Sequence, residues 1–260
     1  MSFSIAEFQA VVDKINSGMD DISAKMDEIP RVANSTIDHW YIPDFVADGI
    51  IWLAEKMLDL AKKIWDKVVE VLKGVAAPIY LFSYAMDLND VSATADGIVA
   101  NLGDADMAGS EDWSGKGAEA YRRQLSPQRD AAGELGHIAE QMKSSLIWAS
   151  VAGLTFYVGL GVIIVKFIVA MVAAIAALGS VVFSWAGAGL IVEEAGVNIA
   201  AIGTLVAALL ALLGDQVKEM GSLQDAASTD KFPGGRWPKG HNEQYGDATV
   251  RDGDNDWSLG

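Results

Sequence analysis

The sequence predicts an all-α protein, an elongated helical bundle that includes a long apolar helical hairpin. Three observations predict it. Apolar residues recur at alternating steps of four and three in successive runs, as a helical seam requires. Gly- and Pro-rich breaks separate those runs. One stretch, Leu146 to Gly214, is apolar on every side and nearly free of charge.

The first run places Phe8, Val12, Ile15, Met19, Ile22, Met26 and Ile29 on one seam, and Pro30 is expected to close that helix. A second amphipathic run, Asp44 to Lys73, uses Ile50, Ile51, Met57, Leu58, Ile64, Trp65, Val68 and Leu72, with Lys, Asp and Glu opposite. The third puts Tyr84, Leu88, Val91, Ala95, Ile98 and Leu102 together, then gives way to a Gly-, Asp- and Ser-rich turn over 103–117. The fourth carries Ala118, Tyr121, Leu125, Ala132, Leu135 and Met142, with Pro127, Gly133 and Gly136 as expected kink points. Runs three and four read as an antiparallel hairpin.

Beyond Lys143 the apolar positions no longer keep to one face. Between Leu146 and Val192 the sole charge is Lys166, and Ala195 to Gly214 has none. Each arm exceeds the roughly 20 helical residues that cross about 30 Å of hydrocarbon. The turn between arms is expected at Trp185 to Gly189, around Gly187 and Gly189, with Glu193 and Glu194 opening the second helix where carboxylates suit its dipole. Lys166 is read as snorkelling or lying on a solvated face, with an ion-pathway role as the sharper alternative. Four segments follow: 1–78, N-terminal amphipathic helices; 79–143, a helical hairpin; 144–223, a membrane-capable apolar hairpin; and 224–260, an irregular polar tail.

Of the chain's 260 residues, 51% are hydrophobic, and the formal net charge is −16. Such acidity repels polyanions, so nucleic acid is not an expected partner. Cysteine is absent, which excludes disulfides and thiolate chemistry. The opening residues lack the basic and continuous apolar regions of a cleavable export signal, so any export is expected by another route. His39, His137 and His241 are scattered and form no zinc-type pair. The Gly-x-Gly pairs lack a third glycine, and Gly115-Lys116 lacks the rest of a phosphate loop. Asp252-Gly-Asp254-Asn-Asp256 starts like a calcium loop, but Trp257 stands where glycine is needed, and a solvated acidic tail is the better reading. No catalytic residue, metal or cofactor is expected.

Between the third and fourth runs lies Asp112-Trp113-Ser114-Gly115-Lys116-Gly117-Ala118-Glu119-Ala120-Tyr121. In that position it resembles the Trp-x-Gly (WXG) family of helical hairpins exported by type VII (ESX) secretion systems. The indole of Trp113 can cap the seam where two helices meet, and Gly115 can take the angles that reverse the chain. Tyr121 matches the usual start of the second helix. The resemblance covers roughly residues 80–142. It implies a noncatalytic secreted or cell-surface protein, handled without a signal peptide, that works through helix packing, membrane association or oligomerisation. A helical partner or self-association is expected, with 146–214 as the membrane-capable part. Family members, or their partners, usually carry a Tyr-x-x-x-Asp/Glu signal after the hairpin; neither Tyr157 nor Tyr245 has the acidic residue, so either export depends on a partner chain or the chain is not a substrate. A different reading is an α-helical pore-forming toxin whose amphipathic helices shield the apolar hairpin until it inserts. A third is an integral membrane protein with the hairpin permanently inserted.

Overall fold

A computed structural model describes residues 3–103, 116–180, 185–226 and 231–238; the side chains of 116–120, of 185–199 and of several residues after 215 lie outside that description. The described residues form five α-helices: α1 (Ile5–Ile37), α2 (Asp44–Leu72), α3 (Ala77–Asn101), α4 (Lys116–Gly179) and α5 (Trp185–Ala226). A short 3-10 turn spans Pro233–Gly235. They contain no strand, so the all-α expectation holds for them.

Helix α1 starts at Ser4, whose hydroxyl accepts from the Glu7 backbone N–H at 3.4 Å and satisfies one orphan donor of the first turn. Its expected seam is real: Phe8, Ile15, Met19, Ile22 and Ile29 are buried. Pro30 does not close the helix, which runs on to Ile37. The seam explains why, since Ala33 and Thr36 continue it into the core while Pro30 itself is exposed. Packing outweighs the one backbone hydrogen bond that proline cannot donate. Arg31 Nε also donates to the Asp27 carbonyl at 2.9 Å, and Thr36 Oγ1 to that of Val32 at 2.8 Å.

The chain clusters into two compact units. Residues 1–81 and 149–214 make the first. Here α1 lies parallel to the apolar half of α4: Phe8 meets Tyr157 edge-on at 5.4 Å between ring centroids, Gly161 faces Ile15, Gly18 faces Ile164, and Gly179 faces Val32. At Gly18 the approach is close enough that a Cβ would sit 2.6 Å from Ile164 Cγ2. The core adds Ile50, Leu53, Ile64 and Val68 from α2, Leu160 and Leu178 from α4, and Ile202 from α5. Full burial of each such side chain is worth roughly 1.5–3 kcal/mol. Of the positions expected on α2, Ile50, Met57, Ile64 and Val68 are buried, whereas Ile51 is turned outward and Leu53, Ala54 and Ala61 take the remaining places.

Residues 82–148 and 215–260 make the second unit. Its part of α3 runs antiparallel to its part of α4, as Lys143 Nζ donating to Asn89 Oδ1 at 2.8 Å and Gly136 opposite Ala95 require. The seam on α3 differs from the expected one. Ala95 is buried as expected, but Ala85 and Ser92 are buried in place of the expected Tyr84 and Val91, and those two are exposed, so the contact face is offset by one residue at these positions. On α4 Ala131, Ala132 and Ala139 are buried, with Tyr121 and Leu135 outward. Small residues win because these backbones approach closely: a Cβ on Gly136 would lie 3.3 Å from that of Ala95. Gly133 and Gly136 therefore serve packing, and α4 passes both glycines and Pro127 without ending.

Helix α4 is one helix of 64 residues that runs through the change of pattern near 143–144, and the two units divide between Trp148 and Ala149. One further expectation is corrected: the interruption of the apolar stretch falls earlier than Trp185 to Gly189, because α4 ends at Gly179 and α5 begins at Trp185. Gly187 and Gly189 lie in the first turns of α5, where a glycine costs only about 1 kcal/mol relative to alanine. Glu193 and Glu194 lie well inside α5 rather than at its start.

Candidate functional site: an exposed apolar helix face

The apolar half of α4 has two unlike sides. Leu160, Ile164, Phe167, Met171, Ala174 and Leu178 face the core. Val158, Val162, Val165, Val169 and Val172 follow one another at steps of four, three, four and three, which places them in one row along the helix. That row is open to the outside, with 60% of Val165 and 64% of Val169 exposed. A solvated helix face gives no physical reason for a run of valines, because β-branching lowers helix propensity and water gains nothing from the methyl groups. Contact with hydrocarbon or with another apolar helix does give one.

Lys166 adjoins the row, is exposed, and has no ion pair among the described residues. Its neighbours Val165 and Phe167 remain helical, as their lack of turn chemistry predicts. On α5, Ile202 is fully buried, whereas Leu210 and Leu212 are 63% and 55% exposed. The hairpin thus keeps apolar surface uncovered on both of its helices. Two described helical stretches, Asp44–Asn101 and Tyr121–Gly179, hold windows long and apolar enough to cross a membrane; the second is the more apolar, with mean hydropathy 2.7.

The other residues singled out by sequence fare differently. Trp113 and Gly115 lie outside the described residues. Tyr121 is in α4 and 39% exposed. Trp185, Gly187, Gly189, Glu193 and Glu194 are helical in α5, with their side chains outside the description. His39 Nδ1 lies 2.9 Å from the Ser35 carbonyl at the end of α1, and His137 Nε2 lies 3.0 Å from Gln141 Nε2 one turn along α4. Both rings therefore have local structural partners, and His241 lies outside the described residues. No cluster of three or more metal-ligating side chains occurs among the described residues.

In the second unit Lys231 Nζ donates to Glu134 Oε2 at 2.6 Å and ties the segment after α5 to α4. That hydrogen bond, with the charges of Glu134 and then Asp130, holds the Lys231 ammonium above the ordinary lysine range. The row of exposed valines escaped the sequence reading because an all-round apolar segment offers no periodicity of its own. The signal that could have found it is the confinement of valine, among the large apolar residues of 158–172, to heptad positions.

Comparison of the chain with protein families, with curated proteins and with solved structures yields no match.

Proposed function

We propose that the chain is a noncatalytic protein of the WXG type, handled by a type VII (ESX) secretion system and delivered to the cell surface or beyond, where its apolar hairpin associates with a membrane. The observation that carries the membrane part is the exposed valine row, 158 to 172, on a helix whose opposite side is already packed. The secretion part is supported by the antiparallel pairing of α3 with α4. The pairs Asn89–Lys143 and Ala95–Gly136 lie about equally far on either side of Lys116, adjoining Trp113-Ser114-Gly115. A partner chain supplies the export signal that Tyr157 and Tyr245 lack.

Fractionation of the producing organism tests the proposal. Protein is expected in the culture fluid or envelope fraction and is expected to vanish from there when the secretion machinery is deleted. Protein confined to the cytosol and indifferent to that deletion would refute it.

The cover that α1 gives the apolar half of α4, through Phe8 on Tyr157 and Gly18 on Ile164, favours one second reading. In it the hairpin is held packed until it enters a target membrane as a pore. Release of dye from liposomes distinguishes this reading, since a surface-associated protein leaves the vesicles sealed.

A further inference from the structure

Inside the first unit, the end of α2, the start of α3, and helices α4 and α5 leave a cavity of about 290 Å³ between them. Two glycines shape it. Gly153 admits the ring of Pro78, since a Cβ there would fall 2.5 Å from Pro78 Cγ. Gly74 leaves open space above the Tyr157 hydroxyl, where its own Cβ would stand 3.9 Å away. Leu209 and Leu213 of α5 close the far wall, and Leu210, which lines the cavity while remaining 63% exposed, marks its mouth.

Tyr157 supplies the only polar side-chain atom among the lining residues. Its O–H donates to the Val71 carbonyl at 3.2 Å. A phenol has one proton to give, so what remains on this oxygen is acceptor capacity. A ligand that fits must be hydrocarbon over most of its length and must present a hydrogen-bond donor at one end. An ionised carboxylate is acceptor-only and finds no side-chain donor here. For scale, an apolar void of roughly 150 Å³ takes a benzene ring, so this one corresponds to about a dozen carbons.

We propose that this cavity binds a single alkyl chain ending in a hydroxyl, with the hydroxyl donating to Tyr157 Oη and the tail lying along Leu209 and Leu213. The chain belongs either to a free long-chain alcohol or to a hydroxyl-bearing lipid, and the site does not depend on how the protein is secreted.

The probe is 1-decanol carrying a photoreactive diazirine near its tail, applied to the full chain in lipid-free buffer and in neutral phosphatidylcholine vesicles. After photolysis, labelled peptides are mapped. Saturable labelling within 206–213 is expected, suppressed about tenfold by excess unlabelled 1-decanol and far less by decanoate at alkaline pH. Gly74→Leu fills the space above the hydroxyl and should cut that labelling about tenfold while leaving adventitious labelling of Val162 to Val169 in place. Ala77→Leu lines the same cavity and serves if the first variant loses its helical circular dichroism. Tyr157→Phe should weaken competition by 1-decanol by about fivefold, the equivalent of one hydrogen bond. Diacylglycerol added to the vesicles carries the free hydroxyl that phosphatidylcholine lacks; loss of labelling on that addition, and not with phosphatidylcholine alone, assigns the natural occupant to a hydroxyl-bearing bilayer lipid and supports the site. Unsaturable labelling, or labelling unchanged in both folded cavity-filling variants, overturns it.

Discussion

Replacing Val165 and Val169 together by aspartate separates a membrane-facing row from a solvated one. These two side chains are the most exposed of the row, at 60% and 64%, so their loss disturbs the core least. In water, surface substitutions of this kind cost within about 0.5 kcal/mol each. At the centre of a hydrocarbon layer, an aspartate costs about 2.5–3.5 kcal/mol. Two of them therefore oppose insertion by about 5–7 kcal/mol, and with about 1.4 kcal/mol per factor of ten the partition coefficient should fall at least about a thousandfold. Flotation with neutral phosphatidylcholine vesicles reads this directly, and uncharged lipid removes repulsion by the chain's net charge of −16. Val165→Leu with Val169→Leu is the control and should float like the parent. Aspartate variants that keep their melting temperature and still float as well as the parent would refute the assignment of this face to the membrane.

Three further outcomes are expected. Gly18→Val drives a side chain into Ile164, which a Cβ alone would approach to 2.6 Å. It should cost about 1–3 kcal/mol in chemical denaturation, whereas Gly97→Ala, with nothing within 4 Å of the new Cβ, should gain about 0.5–1 kcal/mol. Pro30→Ala restores a backbone donor inside α1 at an exposed position and should raise the unfolding midpoint by the equivalent of about 1–3 kcal/mol. Because Glu134 raises the folded-state pKa of Lys231, the contribution of that pair is fully present below the unfolded lysine range and is lost as pH rises through the raised folded value. Fluorescence of Trp237, six residues along, should change in that alkaline window and not in the acid-to-neutral range above carboxylate titration; Glu134→Gln should abolish the alkaline step.

What the sequence made legible depends on how each helix buries itself. In α1 and α2 a face of large residues meets the core, so Phe8, Ile15, Ile22, Ile50, Ile64 and Val68 declare themselves by spacing alone. In α3 Ala95 is buried as its spacing predicts, but the other buried positions, Ala85 and Ser92, are ones that no hydrophobicity count favours over Tyr84 and Val91. Close backbone approach is a property of two helices at once and leaves little mark on either sequence. Pro30 was misleading for a related reason, since a local stop signal yields to burial that continues at Ala33 and Thr36. The same holds for Gly187 and Gly189, whose turn chemistry α5 absorbs. As to the candidate site, its length and lack of charge were plain, but which side of α4 stays uncovered is fixed only when α1 takes the other.

The parallel run of α1 beside the apolar half of α4 bears on how the chain is made. Phe8 must wait for Tyr157, a partner about 150 residues downstream, so this unit has very high contact order. During synthesis α1 and α2 emerge first and can pair with each other through their own apolar faces. When the apolar arms appear, a half-finished wall is already waiting to take one side of them. Removing either of its two sequence segments takes away something this unit is built on: without α1 the arms have no shelter, and without the arms α1 and α2 keep only each other. Its smallest self-sufficient piece is therefore not the apolar hairpin, and expression of residues 146–214 alone should yield aggregate where the full chain folds.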